Sequence, residues 1–292
     1  MRILLTGGSG FIGRNLREHL ARRHDVLAPS HAEIELLDEE SVRTWLATHP
    51  VDAIVHSATI PGHRNAPFAS DLALKNLKMF LHLALHAPPA IPAVILGSGA
   101  EYDVSRMGPR VREEEAGSRV PQDETGFSKL VCSLFAAGDS RFVHLRPFGV
   151  FGPHDDWEIR FISNAICKTL FDRPITLRQN RRLDYVWVGD LAMIVEHFLV
   201  HGGRHRAYNV TPDETPDLLG LARLVRDVSG KDVPIRIACD GMGPEYTGDN
   251  SRLKAEVPGL RFTPIREAVS RLYAWYAERQ SLIHEEALLM DK

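Results

Sequence analysis

The chain predicts an α/β fold, a doubly wound parallel sheet followed by a smaller, mixed C-terminal lobe. Apolar runs at 2–6, 24–28, 52–57, 92–97 and 141–146 alternate with helical stretches near 11–23, 39–48, 68–86 and 124–138, the rhythm of strands joined by crossover helices. Strands such as Ala93-Val94-Ile95-Leu96 are apolar throughout, as befits a sheet covered on both faces. Glycines cluster where the first strand meets the first helix, in Leu4-Leu5-Thr6-Gly7-Gly8-Ser9-Gly10-Phe11-Ile12-Gly13.

That first junction carries most of the information. Gly7 permits a tight turn, Gly10 lets the backbone approach a pyrophosphate, and Gly13 lets helix and strand pack closely. The apolar Ile3, Leu4 and Leu5 precede it, and Phe11, Ile12, Leu16 and Leu20 follow at helical spacing. The free N–H groups of the helix start then face the phosphates of a dinucleotide. This is the Rossmann-type arrangement, and it points to Gly7, Gly10, Phe11, Ile12 and Gly13 as cofactor-binding residues.

The second strand ends in Leu27-Ala28-Pro29-Ser30-His31. A carboxylate there would accept hydrogen bonds from a ribose 2′-OH and repel a 2′-phosphate, and none is present. NADP(H) is therefore favoured and NAD(H) remains possible, with Ser30, His31 and Arg14 as candidate phosphate ligands. Asp38 precedes the helix at 39–48, where it suits either a helix N-cap or a cofactor contact.

After Pro147 the rhythm loosens into loops rich in Gly, Pro and Asp, including Gly152-Pro153-His154-Asp155-Asp156. Helices near 157–170, 215–229 and 264–280 follow, with short strands between. We divide the chain into a dinucleotide-binding domain at 1–150 and a substrate-binding lobe at 151–292, some elements of which return to the first domain. The tail at 281–292 lacks a core signal.

Composition narrows the classes further. The 292 residues are 44% apolar with a net charge of −3, enough for a full core and no bulk attraction for nucleic acid. Cys132, Cys167 and Cys239 have neither disulfide nor zinc spacing. No segment approaches the roughly 18 apolar residues of a membrane span. A cytoplasmic protein without nucleic-acid or membrane partners and without a bound metal is expected.

Several further motifs carry a family resemblance: Leu36-Leu37-Asp38, Val55-His56-Ser57-Ala58, Asn76, Arg146-Pro147-Phe148-Gly149-Val150-Phe151-Gly152-Pro153 and Asp184-Tyr185-Val186-Trp187-Val188-Gly189-Asp190. With the glycine turn, they make the chain resemble an extended short-chain dehydrogenase/reductase of the NAD-dependent epimerase/dehydratase type, similar to nucleotide-sugar 4-ketoreductases and GDP-fucose synthases. The resemblance covers nearly the whole length. It implies that Asp38 lies near adenine, that Ser57, Ala58, Lys129 and Pro147 belong to the cofactor site, and that Asn76 shapes the substrate site.

The same resemblance implies a catalytic set of a carbonyl-binding hydroxyl, a tyrosine and a lysine four residues after it. Ser98, in Gly97-Ser98-Gly99-Ala100-Glu101-Tyr102, matches the hydroxyl. Thr125-Gly126-Phe127-Ser128-Lys129 matches the later motif, but Thr125 stands where tyrosine belongs. Positions i and i+4 share a helix face. A phenol, with a reference pKa of about 10, can be tuned toward neutrality, whereas an aliphatic hydroxyl is too weak an acid. Tyr102, by the resemblance, packs beside the site.

Gly99 and Ala100 follow Ser98 where the family's dehydratases place an acid and a base, and Ala100 replaces the cysteine of the fucose-type epimerisation. Ketone reduction and 4-epimerisation remain. A pyrophosphate clamp calls for guanidinium groups, and Arg178, Arg182 (or Arg181) and Arg252 are the candidates, with His154 and Asp155 near the site mouth.

Three functions therefore stay open: an NADP(H)-dependent reductase of a nucleotide-diphosphate 4-keto sugar, a 4-epimerase that retains NAD(H), and a cofactor-binding protein without turnover. The family resemblance also implies a homodimer through helices near 68–86 and 124–138, where Leu77, Phe80, Leu81, Leu83, Ala84 and Leu130, Leu134, Phe135 have suitable spacing.

Overall fold

The computed structural model describes residues 1–60 and 71–289. In chain order its first half contains β1 (Arg2–Thr6), α1 (Phe11–Leu20), β2 (Asp25–Leu27), α2 (Glu39–Thr48), β3 (Ala53–His56), α3 (Leu72–His86), β4 (Ala93–Leu96), α4 (Glu124–Ala137) and β5 (Phe142–Pro147). The remainder comprises β6 (Gly149–Phe151), α5 (Phe161–Leu170), β7 (Ile175–Asn180), β8 (Tyr185–Trp187), α6 (Val188–His201), β9 (Ala207–Val210), α7 (Leu218–Ser229), β10 (Ile235–Met242), α8 (Ser251–Glu256) and α9 (Ile265–Ala277). The start of the helix predicted near 68–86 lies outside the described residues.

Six parallel strands form the main sheet in the order β2-β1-β3-β4-β5-β9. The order reverses between β1 and β3, so their C-terminal ends open a crevice at the glycine turn. Alternate strand residues feed two cores. Ile3, Leu5, Val55, Val94 and Leu145 pack with α1 and α6 through Leu16, Leu20, Leu191 and Phe198. Leu4, Ile54 and Ile95 pack on the other face with α2, α3 and α4 through Trp45, Phe80, Leu83 and Ala136. Continuous apolarity in the strands is the direct result of this double cover.

The chain crosses back after residue 151. Helix α6 and strand β9 complete the first sheet, while α5, α7 and α9 close a separate core around Ile166, Val225 and Leu272 with Ile175 and Leu177 of β7. The two-stranded pairs β10-β7 and β6-β8 complete the second half.

The expected pairing face needs correction. Of the expected positions Phe80, Leu83, Ala84 and Leu130 are buried within the chain, whereas Leu134 and Phe135 are exposed together with Leu74, Leu85 and Phe127. The expected set is thus split between the core face and the outer face of these helices.

Candidate active site

The glycine turn is built by close approach. Gly7 has φ +74°, and a Cβ there would lie 2.6 Å from the Ala58 amide nitrogen, while a Cβ on Gly13 would lie 2.0 Å from the Gly7 carbonyl oxygen. Gly10 differs: its nearest neighbour for a Cβ is the Gly7 oxygen at 3.4 Å. Its hydrogen can thus be required only by something arriving from outside the fold. Gly10 caps α1 without a side-chain hydrogen bond, and the first turn carries no acidic residue. Its amides and positive dipole end suit a pyrophosphate. Phe11 and Ile12 are half-buried beneath them.

At the edge of this crevice, the Ala58 amide donates to Thr6 Oγ1 at 3.4 Å, and the Ser57 amide donates to the Thr6 carbonyl at 3.3 Å. At the end of β2, the Ser30 amide and hydroxyl both donate to Glu33, at 2.7 and 2.8 Å. This local box fixes the turn and uses the Ser30 donors, leaving His31 exposed at its tip. Arg14 donates to the Ser9 carbonyl at 2.8 Å and so braces the glycine loop. Asp38 adopts its capping role, accepting from the Glu40 amide at 3.0 Å.

Asn76 sits where the substrate was expected but its amide is taken up by the chain. Its Oδ1 accepts from the Ile60 amide at 2.8 Å and the Thr59 hydroxyl at 3.3 Å, and its Nδ2 donates to the Ile60 carbonyl. The residue fastens the loop after β3.

Ser98 leaves β4 at the sheet's C-terminal edge, where its hydroxyl accepts from the Ala100 amide and its own amide donates to Glu101 Oε1 at 2.9 Å. Glu101 is wholly buried, paired with His144 Nε2 and Arg146 Nε, each at 2.7 Å. Burial pushes the Glu101 carboxyl up, but His144 and Arg146 outweigh it and hold it below the usual range. Arg146 also donates to the Tyr102 hydroxyl at 3.0 Å, and that hydroxyl donates to Asn209 at 2.7 Å. Tyr102 therefore lies behind the site and its phenol is spent.

Helix α4 abuts this turn so closely that a Cβ on Gly126 would lie 2.6 Å from the Ala100 carbonyl oxygen. Asp123 caps the helix by accepting from the Gly126 amide. Thr125 and Lys129 share a face, and the buried Lys129 ammonium donates to the Leu96 carbonyl at 2.7 Å. Burial lowers the Lys129 pKa. Pro147 ends β5 beside Val210, and Phe148 continues to the same edge.

One residue at this edge has no signal in the sequence. Tyr246 is 9% exposed, its ring 4.8 Å from Phe148. Its hydroxyl is 2.7 Å from the position a Gly99 Cβ would occupy, beside Ser98. The Tyr246 amide donates to the Arg182 carbonyl at 2.9 Å and its carbonyl accepts from the Asp184 amide at 3.1 Å. Burial and the Glu101 carboxylate raise the phenol pKa, opposed by Ser98 and by the charges of Arg181 and Arg160.

The arginine expectations are redrawn accordingly. Arg181 acts on Tyr246, whereas Arg182 and Arg178 are exposed; neighbours on an extended segment point to opposite sides. Arg252 is bound to Glu114 and donates to the Ala207 carbonyl at 3.1 Å, with Glu113 at 3.8 Å. It ties the 113–115 turn to β9. Asp155 is buried and accepts from the Ser163 hydroxyl at 3.0 Å.

Fold and site together define a dinucleotide-binding α/β protein with a hydroxyl and a lysine at the sheet's C-terminal edge. The family model described as the NAD dependent epimerase/dehydratase family matches residues 3–211, and the chain belongs to that family. It is 26% identical to dTDP-4-dehydro-6-deoxy-D-allose reductase of Streptomyces bikiniensis, over 94% of this chain and 95% of the relative. It is 33% identical to GDP-L-colitose synthase of Yersinia pseudotuberculosis over a shorter stretch, 28% of each chain. A GDP-mannoheptose C4 reductase from Campylobacter jejuni, solved with NADP bound, shares the fold with a TM-score of 0.79 at 15% identity, covering 94% of this chain and 98% of that one.

Proposed function

We propose that the chain reduces a 4-keto sugar carried on a nucleoside diphosphate, using NADP(H). The observation that supports this most is the placement of Ser98 and Lys129 on the same sheet edge as the glycine turn, whose open position is Gly10. When bound, the reduced nicotinamide supplies a hydride. The Ser98 hydroxyl holds the carbonyl oxygen, and Lys129, released from the Leu96 carbonyl, takes the nicotinamide ribose. Gly99 and Ala100 offer neither acid nor base beside Ser98, so elimination of water is disfavoured.

The NADP(H) preference rests on the carboxylate-free run from Leu27 to His31, with His31 and Arg14 as the phosphate ligands. The substrate pyrophosphate is assigned to Arg181. A cytoplasmic homodimer joined through the outer faces of α3 and α4 completes the proposal.

Purified protein is mixed with NADPH and a nucleotide 4-keto-6-deoxy sugar, and loss of nicotinamide absorbance is followed. Consumption that requires the ketosugar is the expected result. Tightly retained nicotinamide with interconversion of sugar epimers would point instead to an epimerase, and coenzyme binding without turnover would overturn catalysis. Tighter binding of NADH than of NADPH would overturn the coenzyme preference.

A further inference from the structure

We propose that Tyr246 supplies the proton that Thr125 cannot, delivering it to the substrate carbonyl oxygen at Ser98. The inference rests on the reductase reading above. Its basis is spatial: the chain places a phenol against the one hydroxyl positioned to hold a carbonyl. The Tyr246 oxygen lies 2.7 Å from the position a Cβ on Gly99 would occupy, one residue along the chain from Ser98. Gly99 is required there because any side chain would occupy the space that Tyr246 and Phe148 fill.

The phenol is held from both sides. Its backbone is pinned to Arg182 and Asp184, and two residues on, the Gly248 amide donates to Asp184 Oδ2 at 2.8 Å. Its ring rests on Phe148. No such purchase is needed for a surface tyrosine.

The step balances as follows. The carbonyl carbon gains the hydride from reduced nicotinamide, the C=O π pair moves to oxygen, and that oxygen takes the proton from Tyr246 directly or through the Ser98 hydroxyl. The phenolate left behind, favoured by the charges of Arg181 and Arg160 and opposed by Glu101, is reprotonated from solvent. Burial keeps the phenol protonated beyond its ordinary range, which suits a donor to an alkoxide, a stronger base than phenolate.

Tyr246→Phe keeps the ring and removes the hydroxyl. With NADPH and a nucleotide 4-keto-6-deoxy sugar, kcat is expected to fall about 10²–10⁴-fold, the range for loss of a general acid. KM and the calorimetric Kd for NADPH stay within about threefold, and adding Thr125→Tyr to the variant restores much of the rate. A kcat within about threefold of wild type, or a rise on Tyr246→Ala that marks the ring as a plug, overturns the proposal and leaves the reductase reading standing. If the unsubstituted protein binds NADPH but reduces no ketosugar, both fail together.

Discussion

Gly10 and Gly13 lie three residues apart in one turn and answer to different constraints. A methyl group on Gly13 would enter the Gly7 carbonyl at 2.0 Å, whereas on Gly10 it would meet only ordinary contact at 3.4 Å. Gly13→Ala should therefore lower stability by about 1–3 kcal/mol through overpacking. Gly10→Ala should melt within about 2 °C of the parent yet bind NADPH at least about tenfold more weakly, a change of about 1.4 kcal/mol. Calorimetric titration beside thermal melts separates the two; unchanged affinity in Gly10→Ala would remove the phosphate site from this turn. Glu101 works by the opposite logic, through charge rather than space. With Arg146 buried beside it, Glu101→Ala leaves a guanidinium unpaired and should cost about 3–5 kcal/mol, read from urea unfolding.

At the scale of elements, α3 and α4 each have two apolar faces, and only one is satisfied within the chain. Leu85 and Leu134 are 63% and 59% exposed, an arrangement that suits burial against a second copy. Leu134→Glu should convert a particle of two chains into one of a single chain by light scattering, with the fold intact by circular dichroism. A parent protein already monomeric at high concentration would remove the dimer. The extended segment around Arg182–Asp184 is the second informative element. It bridges to Tyr246 through the backbone, so the motif visible in the sequence as Asp184-Tyr185 serves as the support for a distant residue. Burial raises the Asp184 pKa to about 6, against hydrogen bonds from Thr215 and Gly248.

For the whole molecule, buried carboxyls set the pH response. Burial raises the Asp155 pKa from 3.8 to about 7, with Arg160 and Ser163 opposing it. Between these values the folded chain retains a proton the unfolded chain has lost, so this group's contribution falls as pH rises from about 4 to 7 and is constant above. Asp155→Asn keeps the shape and removes the ionisation. The variant should be more stable than the parent by about 1–3 kcal/mol at pH 8, with the gap closing toward pH 4; urea unfolding at the two pH values measures it. A gap that widened on acidification would contradict the assigned sign.

The alternation of strands and helices, the glycine turn, and the hydroxyl and lysine near the sheet edge were all legible in the sequence. The alternation and the turn depend on residues close together in the chain, where spacing fixes the face, whereas Ser98 and Lys129 were legible through the family resemblance. The partners of Asn76, Arg252 and Asp38 were not legible in that way, because one polar side chain suits a loop, a turn or a ligand equally well until its neighbours arrive. That Arg181 is half-buried and Arg182 exposed depends on the side of an extended segment, which flips with every residue. Tyr246 reaches Ser98 across 148 positions of sequence, and only the folding of the C-terminal half over the first sheet could bring a phenol to that hydroxyl. Local periodicity thus determined the scaffold and its phosphate-binding turn, while long-range packing decided which side chains face the reacting carbonyl.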